Sequence, residues 1–128
     1  MRFFTILLFL LLFTSCYNVE RNCSDFRNGS FEFEQLLGTE IITSTFTRKG
    51  DIAIEHFQNK VDTFSVRWIN DCEYIMRKLN PQTAYDEEAL HFKILSTTKD
   101  TYTFEYKMVV KKENQALNVQ KGTVRKVK

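Results

Sequence analysis

The sequence predicts an all-β protein: an antiparallel meander of seven or eight strands, forming a small up-and-down barrel or a curled half-open sheet. Three observations carry this. Apolar and polar residues alternate with period two along most of the chain, the pattern of half-buried strands. Turn signals recur at short intervals, at Asn28-Gly29, Gly38-Thr39, Lys49-Gly50-Asp51, Gln58-Asn59-Lys60, Asn70-Asp71, Asn80-Pro81 and Lys99-Asp100. Helix competes only over Thr83–Leu90, where acids cluster behind Asn80-Pro81; a stretch this short suits a helical turn or a surface loop.

The first strand is Ser30–Leu36, in which Phe31 and Phe33 alternate with Glu32 and Glu34. Ile41–Arg48 and Ile52–Phe57 form a hairpin. A three-residue loop at Lys49-Gly50-Asp51 would join Ile42, Phe46, Ile52 and Ile54 into one apolar face. A two-residue loop would mix the faces, so hydrophobic matching selects the longer one. His56 then ends the apolar row as a half-buried side chain.

Thr63–Leu79 is the stretch with the best alternation: Phe64, Val66 and Trp68 share one face, Asn70-Asp71 turns, and Glu73–Leu79 returns. Leu90–Thr97 and Thr101–Lys111 follow, the second placing Tyr102, Phe104, Tyr106 and Met108 on one face. In the closing strand Asn118–Val127, Val119 and Val124 are out of phase, and a bulge at Gly122 would reconcile them.

The N-terminus is a targeting segment. Met1-Arg2 and the apolar run Phe3–Phe13 fit a secretory signal, the run being shorter than the ~20 residues of a membrane-spanning helix. It closes with Thr14-Ser15-Cys16. Phe13–Cys16 resembles the bacterial lipobox, with Phe13 where that pattern has an aliphatic residue. The resemblance implies acylation of Cys16 as the first residue of the mature chain, with two or more acyl chains giving a stable membrane anchor. The alternative is an ordinary cut near Ser15 with Cys16 a plain thiol. Residues 1–15 are thus a lipoprotein signal, 16–22 a tether and 23–128 a single β-domain. One acid, Glu20, follows Cys16 closely where outward-displayed lipoproteins of Bacteroidetes-type bacteria carry an acidic cluster, so the outer membrane's periplasmic face is the expected site.

Giving Cys16 to lipid leaves Cys23 and Cys72, an even pair in an oxidising compartment. Bridged, they would add about 4 kcal/mol by loop-closure entropy; the alternative is two buried free thiols. Two cysteines and two histidines scattered without ligand spacing make a metal site a poor reading, and no cofactor is implied.

Enzyme templates find no support. Neither His56 nor His91 has a neighbouring triad motif, no G-x-S-x-G elbow occurs, and the four glycines are spread through turns rather than gathered around a phosphate. Asp86-Glu87-Glu88 reads as a solvated face. Charge is uneven: from Glu20 to Tyr106 fifteen acids face ten bases, and from Lys107 onward seven bases face one acid. A basic tail can meet anionic lipid, a partner protein or nucleic acid. Nucleic acid does not suit an envelope location, and edge-strand lysines that discourage sheet aggregation are the plainer account.

The aromatic residues suggest more. Phe46, Phe64, Trp68, Phe92, Tyr102 and Phe104, with Phe31, Phe33 and Tyr106, would converge on one interior, filling it or lining a cavity for an apolar ligand. So short a chain favours filling. A second polar candidate is a rim cluster of Arg48, Arg67, Asp71 and Glu73 beside Trp68.

The segments CSDFRNGSFEF, FTRKGDIAIE, WINDCEYIMRKLNP, HFKILSTTKDTYTFEY and KGTVRKV resemble a family of small lipoproteins from flavobacteria and relatives, across nearly all of residues 23–128. Some members carry the name DNA topoisomerase IV; such an enzyme is a large ATP-driven, metal-dependent machine and does not fit a secreted domain of this length. The fold is also loosely similar to lipocalin barrels, with Phe31 where those have tryptophan, a likeness at the level of fold alone. The functional expectation is a non-catalytic, lipid-anchored envelope protein that binds an apolar or amphiphilic small ligand. The alternative is an envelope interaction protein using its basic C-terminal strands.

Overall fold

The computed structural model describes residues 19–110 and 118–128. Eight antiparallel strands run in sequence order and close on themselves: β1 (Gly29–Leu37), β2 (Glu40–Lys49), β3 (Ile52–Phe57), β4 (Lys60–Trp68), β5 (Glu73–Lys78), β6 (Leu90–Thr97), β7 (Thr101–Met108) and β8 (Gln120–Lys126). β8 returns to β1 through Phe31–Lys126 and Glu32–Arg125 pairing. This short seam gives the first and last strands a partner and so shortens the free edge that makes an open meander prone to aggregate. The expected barrel is the observed one, and residues 83–88 form turns and bends rather than a regular helix.

The barrel has two unlike ends. One is plugged by a short 3-10 helix, Cys23–Phe26, which buries both its terminal residues. A disulfide from Cys23 to Cys72 (Cα–Cα 5.2 Å) ties this plug to the β4–β5 connection. The chain ahead of the plug lies along the end of β6: the Thr97 amide donates to the Glu20 carbonyl at 2.8 Å, and the Asn22 amide donates to Thr97 Oγ1 at 2.8 Å. Phe26, Phe31, Ile94, Tyr102 and Val124 form the dry core beneath the plug. The opposite end is framed by the β1–β2, β3–β4 and β5–β6 connections and, among the described residues, is open.

Two expected registers are corrected. Lys49 pairs with Ile52, so the β2–β3 loop is Gly50-Asp51 alone, with Arg48 opposite Ala53 and Thr47 opposite Ile54. Gly50 takes φ +60° and its amide donates to Asn28 Oδ1, which fits a tight two-residue turn. Arg48 and Ala53 therefore point inward, Ile54 faces outward, and His56 is exposed rather than half-buried. Apolar matching fails as the guide because Arg48 has partners waiting inside.

The second correction concerns Gly122. β7 and β8 pair without interruption from Thr101–Arg125 to Tyr106–Gln120, and the irregularity falls instead in β6, between Ile94 and Ser96. A Cβ on Gly122 would stand 3.0 Å from Phe104 Cζ, so glycine here makes room for a ring. Val119 lies ahead of β8 and is exposed.

Candidate functional site

The interior is packed at the plugged end and hollow toward the open end. A cavity of about 210 Å³ lies between the sheet walls. Its sides are Phe33 from β1, Phe46 from β2, Phe64 from β4, Met76 from β5, Phe92 from β6 and Phe104 from β7. A second pocket of about 190 Å³ shares Phe64, Met76 and Leu90 with it and extends under the β5–β6 connection to Lys78, Tyr85 and Asp86. The two adjoin through these shared side chains, the first a chamber and the second a vestibule beside it. Large apolar side chains stand exposed around the open end, among them Leu36, Ile41, Val61, Leu79, Tyr85 and Val109.

Of the aromatic residues expected to line or fill the interior, Phe46, Phe64, Phe92, Tyr102 and Phe104 face the cavity. Trp68 does not. It packs at the plugged end against Tyr74, ring centres 4.6 Å apart, with the guanidinium groups of Arg27 and Arg48 at 4.8 and 5.3 Å from its ring. Its Nε1 is buried without a hydrogen-bond partner among the described residues. Its place is the floor, not the wall.

Arg48 is the residue that reading by pattern misplaced. At 1 % exposure it is among the most buried side chains in the barrel. Its Nε–H donates to the Arg27 carbonyl at 3.0 Å, Nη1 to the Tyr74 hydroxyl at 3.3 Å, and Nη2 to the Phe26 carbonyl. The guanidinium thus clamps the last turn of the plug from inside, where helix carbonyls lack internal partners. Phe31, Phe46, Tyr74 and Tyr102 surround it within 6 Å. Burial opposes its charge, but the neighbouring oxygens of Tyr102 and Tyr74 outweigh that and hold its pKa above the ordinary value. Burial likewise pushes the Tyr74 hydroxyl well up, so it stays a neutral phenol.

The expected rim cluster does not form around Arg48. Arg27 takes Asp71 at 3.4 Å, while Glu73 takes His91 at 3.1 Å and Asn70 Nδ2 at 2.5 Å. Arg67 points outward from β4. The Asn70 bond holds the Glu73 carboxyl below its usual range, with His91 adding to the effect.

At the open end the polar groups differ in kind. Gln35 and Glu55 both line the cavity, and no sequence motif singled them out. Burial, then repulsion from Asp62, pushes the Glu55 carboxyl above its ordinary pKa, with Lys78 partly offsetting. Burial also raises the Tyr106 hydroxyl, with Tyr85 and Glu55 contributing. Lys78 bridges Asp62 at 3.3 Å and Asp86 at 3.4 Å, so Asp86 does more than face solvent.

The basic closing strand is dispersed rather than patched. Arg125 pairs with Glu32, and Lys121 stands opposite Glu105 in the ladder. Lys111 and Lys112 lie outside the described residues, as does Cys16. Among the described residues no group of three or more His, Cys, Asp or Glu is placed to hold a metal ion.

The fold and cavity together define a class: a small, closed, end-plugged β-barrel with an internal pocket open at one end. Comparison with known proteins finds no matching family model, no matching curated protein and no matching solved structure.

Proposed function

We propose that this protein binds an apolar or amphiphilic small molecule inside its barrel without transforming it. In the same reading it is a lipoprotein of the flavobacterial type, held through acylated Cys16 at the periplasmic face of an outer membrane. One observation carries the ligand reading. A short barrel with enough aromatic side chains to fill itself nonetheless leaves a chamber of about 210 Å³, open to the exterior and walled mainly by carbon. Cavities of roughly 150 Å³ hold benzene, so the chamber suits one aromatic ring with a few added carbons, or a medium alkyl chain reaching into the vestibule. Pockets of this kind bind by apolar burial, with a few polar groups fixing orientation. Arg48, Tyr74 and the plug carbonyls bond to one another, which supports a binding rather than a catalytic role for the floor.

Native mass spectrometry of the protein extracted from its own membranes tests this. A co-purified small molecule, released on unfolding and rebound on refolding, is the expected result. A chain that carries no added mass and gives no calorimetric heat with octanol would refute it. For the anchor, Cys16→Ala should shift the protein out of the membrane fraction and abolish incorporation of labelled palmitate.

A further inference from the structure

The polar groups facing the cavity fall into two sets with opposite standing. At the floor the guanidinium of Arg48 is spent on the carbonyls of Phe26 and Arg27 and on the Tyr74 hydroxyl. At the open end the side chains of Gln35, Glu55 and Tyr106 line the same chamber, yet none makes a hydrogen bond or ion pair with another described residue. A carboxylate on an apolar wall is costly unless something pairs with it.

The charges around Glu55 show what is missing. Opposite it on β4 stands Asp62, and β5 contributes Lys78. Lys78 is already shared between Asp62 and Asp86 of the β5–β6 connection. β2 places Phe46 on the other side of Glu55, and β7 brings Tyr106 near, with Tyr85 of the β5–β6 connection beside Tyr106. Among the described residues, the ammonium nearest Glu55 is thus already held by two other carboxylates. Among the described residues Lys78 is the one cation that acts on Glu55, and Glu55 is the carboxylate that lines the chamber.

We propose that the ligand is a cationic amphiphile, a primary amine whose ammonium group sits at Glu55 with its apolar part between Phe46, Phe92 and Phe104. An ammonium has three N–H donors; a Glu55 oxygen takes the charge, and Gln35 Oε1 and the Tyr106 hydroxyl are further acceptors on the lining of the same chamber. The proposal rests on the reading of the chamber as a ligand site and names the ligand's polar end.

The test is isothermal titration calorimetry of the full chain at neutral pH with octylamine, octanol and octanoate, which share one tail and differ in head group. Octylamine should bind at least about tenfold more tightly than octanol, the size of a charge-assisted hydrogen bond, and octanoate more weakly than either. Glu55→Gln, nearly isosteric and checked for fold by circular dichroism, should bring amine and alcohol within about twofold. With the unmodified chain, amine preference should fall as pH drops through the raised Glu55 pKa while octanol binding holds. Octanoate binding as tightly as octylamine, or an amine-to-alcohol ratio unchanged in Glu55→Gln, overturns the head-group assignment and leaves the chamber a ligand site. If none of the three binds, the ligand reading itself falls.

Discussion

Replacing Arg48 with methionine removes every donor of the internal clamp while keeping most of the side chain's bulk. The Phe26 and Arg27 carbonyls then lose their guanidinium partner. At about 1–3 kcal/mol for each acceptor left unsatisfied in the interior, the two cost roughly 2–6 kcal/mol. The attraction between the cation and the surrounding ring faces is lost as well, while the desolvation cost of a buried charge, several kcal/mol, is recovered. The losses win if the clamp is as well matched as its geometry indicates, for a net destabilisation of about 2–4 kcal/mol. In a domain near 100 residues this lowers the melting temperature by roughly 10–25 °C. Scanning calorimetry at neutral pH with the disulfide intact measures it. Arg48→Lys should fall between the two, since an ammonium keeps the charge but lacks the planar fork that serves two carbonyls at once. A methionine variant melting at or above the parent would refute the reasoning, because the burial cost would then outweigh the clamp.

Two further outcomes follow from other parts of the barrel. The Cys23–Cys72 bridge closes a separation of 49 residues, for which loop-closure entropy gives about 4 kcal/mol. Dithiothreitol, or the Cys23→Ser/Cys72→Ser double variant, should therefore lower the melting temperature by roughly 15–25 °C; a shift under about 5 °C would mean that the plug is held without the bridge. Glu55 has a folded-state pKa above its unfolded value. Its contribution to stability is thus fully present below the unfolded pKa and is lost as pH rises through the folded pKa. Glu55→Gln should then be more stable than the parent at neutral pH, with the gain disappearing in acid. Denaturant titrations at several pH values test this, and a gain independent of pH would show that the charge is not its source.

Most strands were legible because they carry their own alternation and are bounded by turn chemistry, as in β4 and β7. The disulfide was legible because removing Cys16 from the count leaves one pair. What escaped the pattern shares a physical cause: it depends on contacts far apart in sequence. The plug, Cys23–Phe26, is a single 3-10 turn, too short to show a period. Arg48 looks like a solvent residue at a strand end until the plug carbonyls are brought over it. Placing it inside sets the β2–β3 register and turns Ile54 out, against the local apolar pattern. Glu55 and Gln35 face the chamber by that same register and the strand alternation. An inward carboxylate in an otherwise apolar wall was the available signal, hidden by the choice of the longer loop. Trp68 fell on the correct face but at the packed end, and strand direction relative to the plug was needed to know which.

The way the chain enters and leaves the barrel has a practical consequence. The Glu20 carbonyl meets Thr97 and the Lys128 carbonyl meets the Ser30 amide, so both described termini lie at the plugged end. A tag, fluorophore or bead attached before Val19 or after Lys128 is held on the side away from the opening. Immobilised through either terminus, the barrel stands upright with its entrance toward the solution, ready for surface-based measurement of ligand exchange.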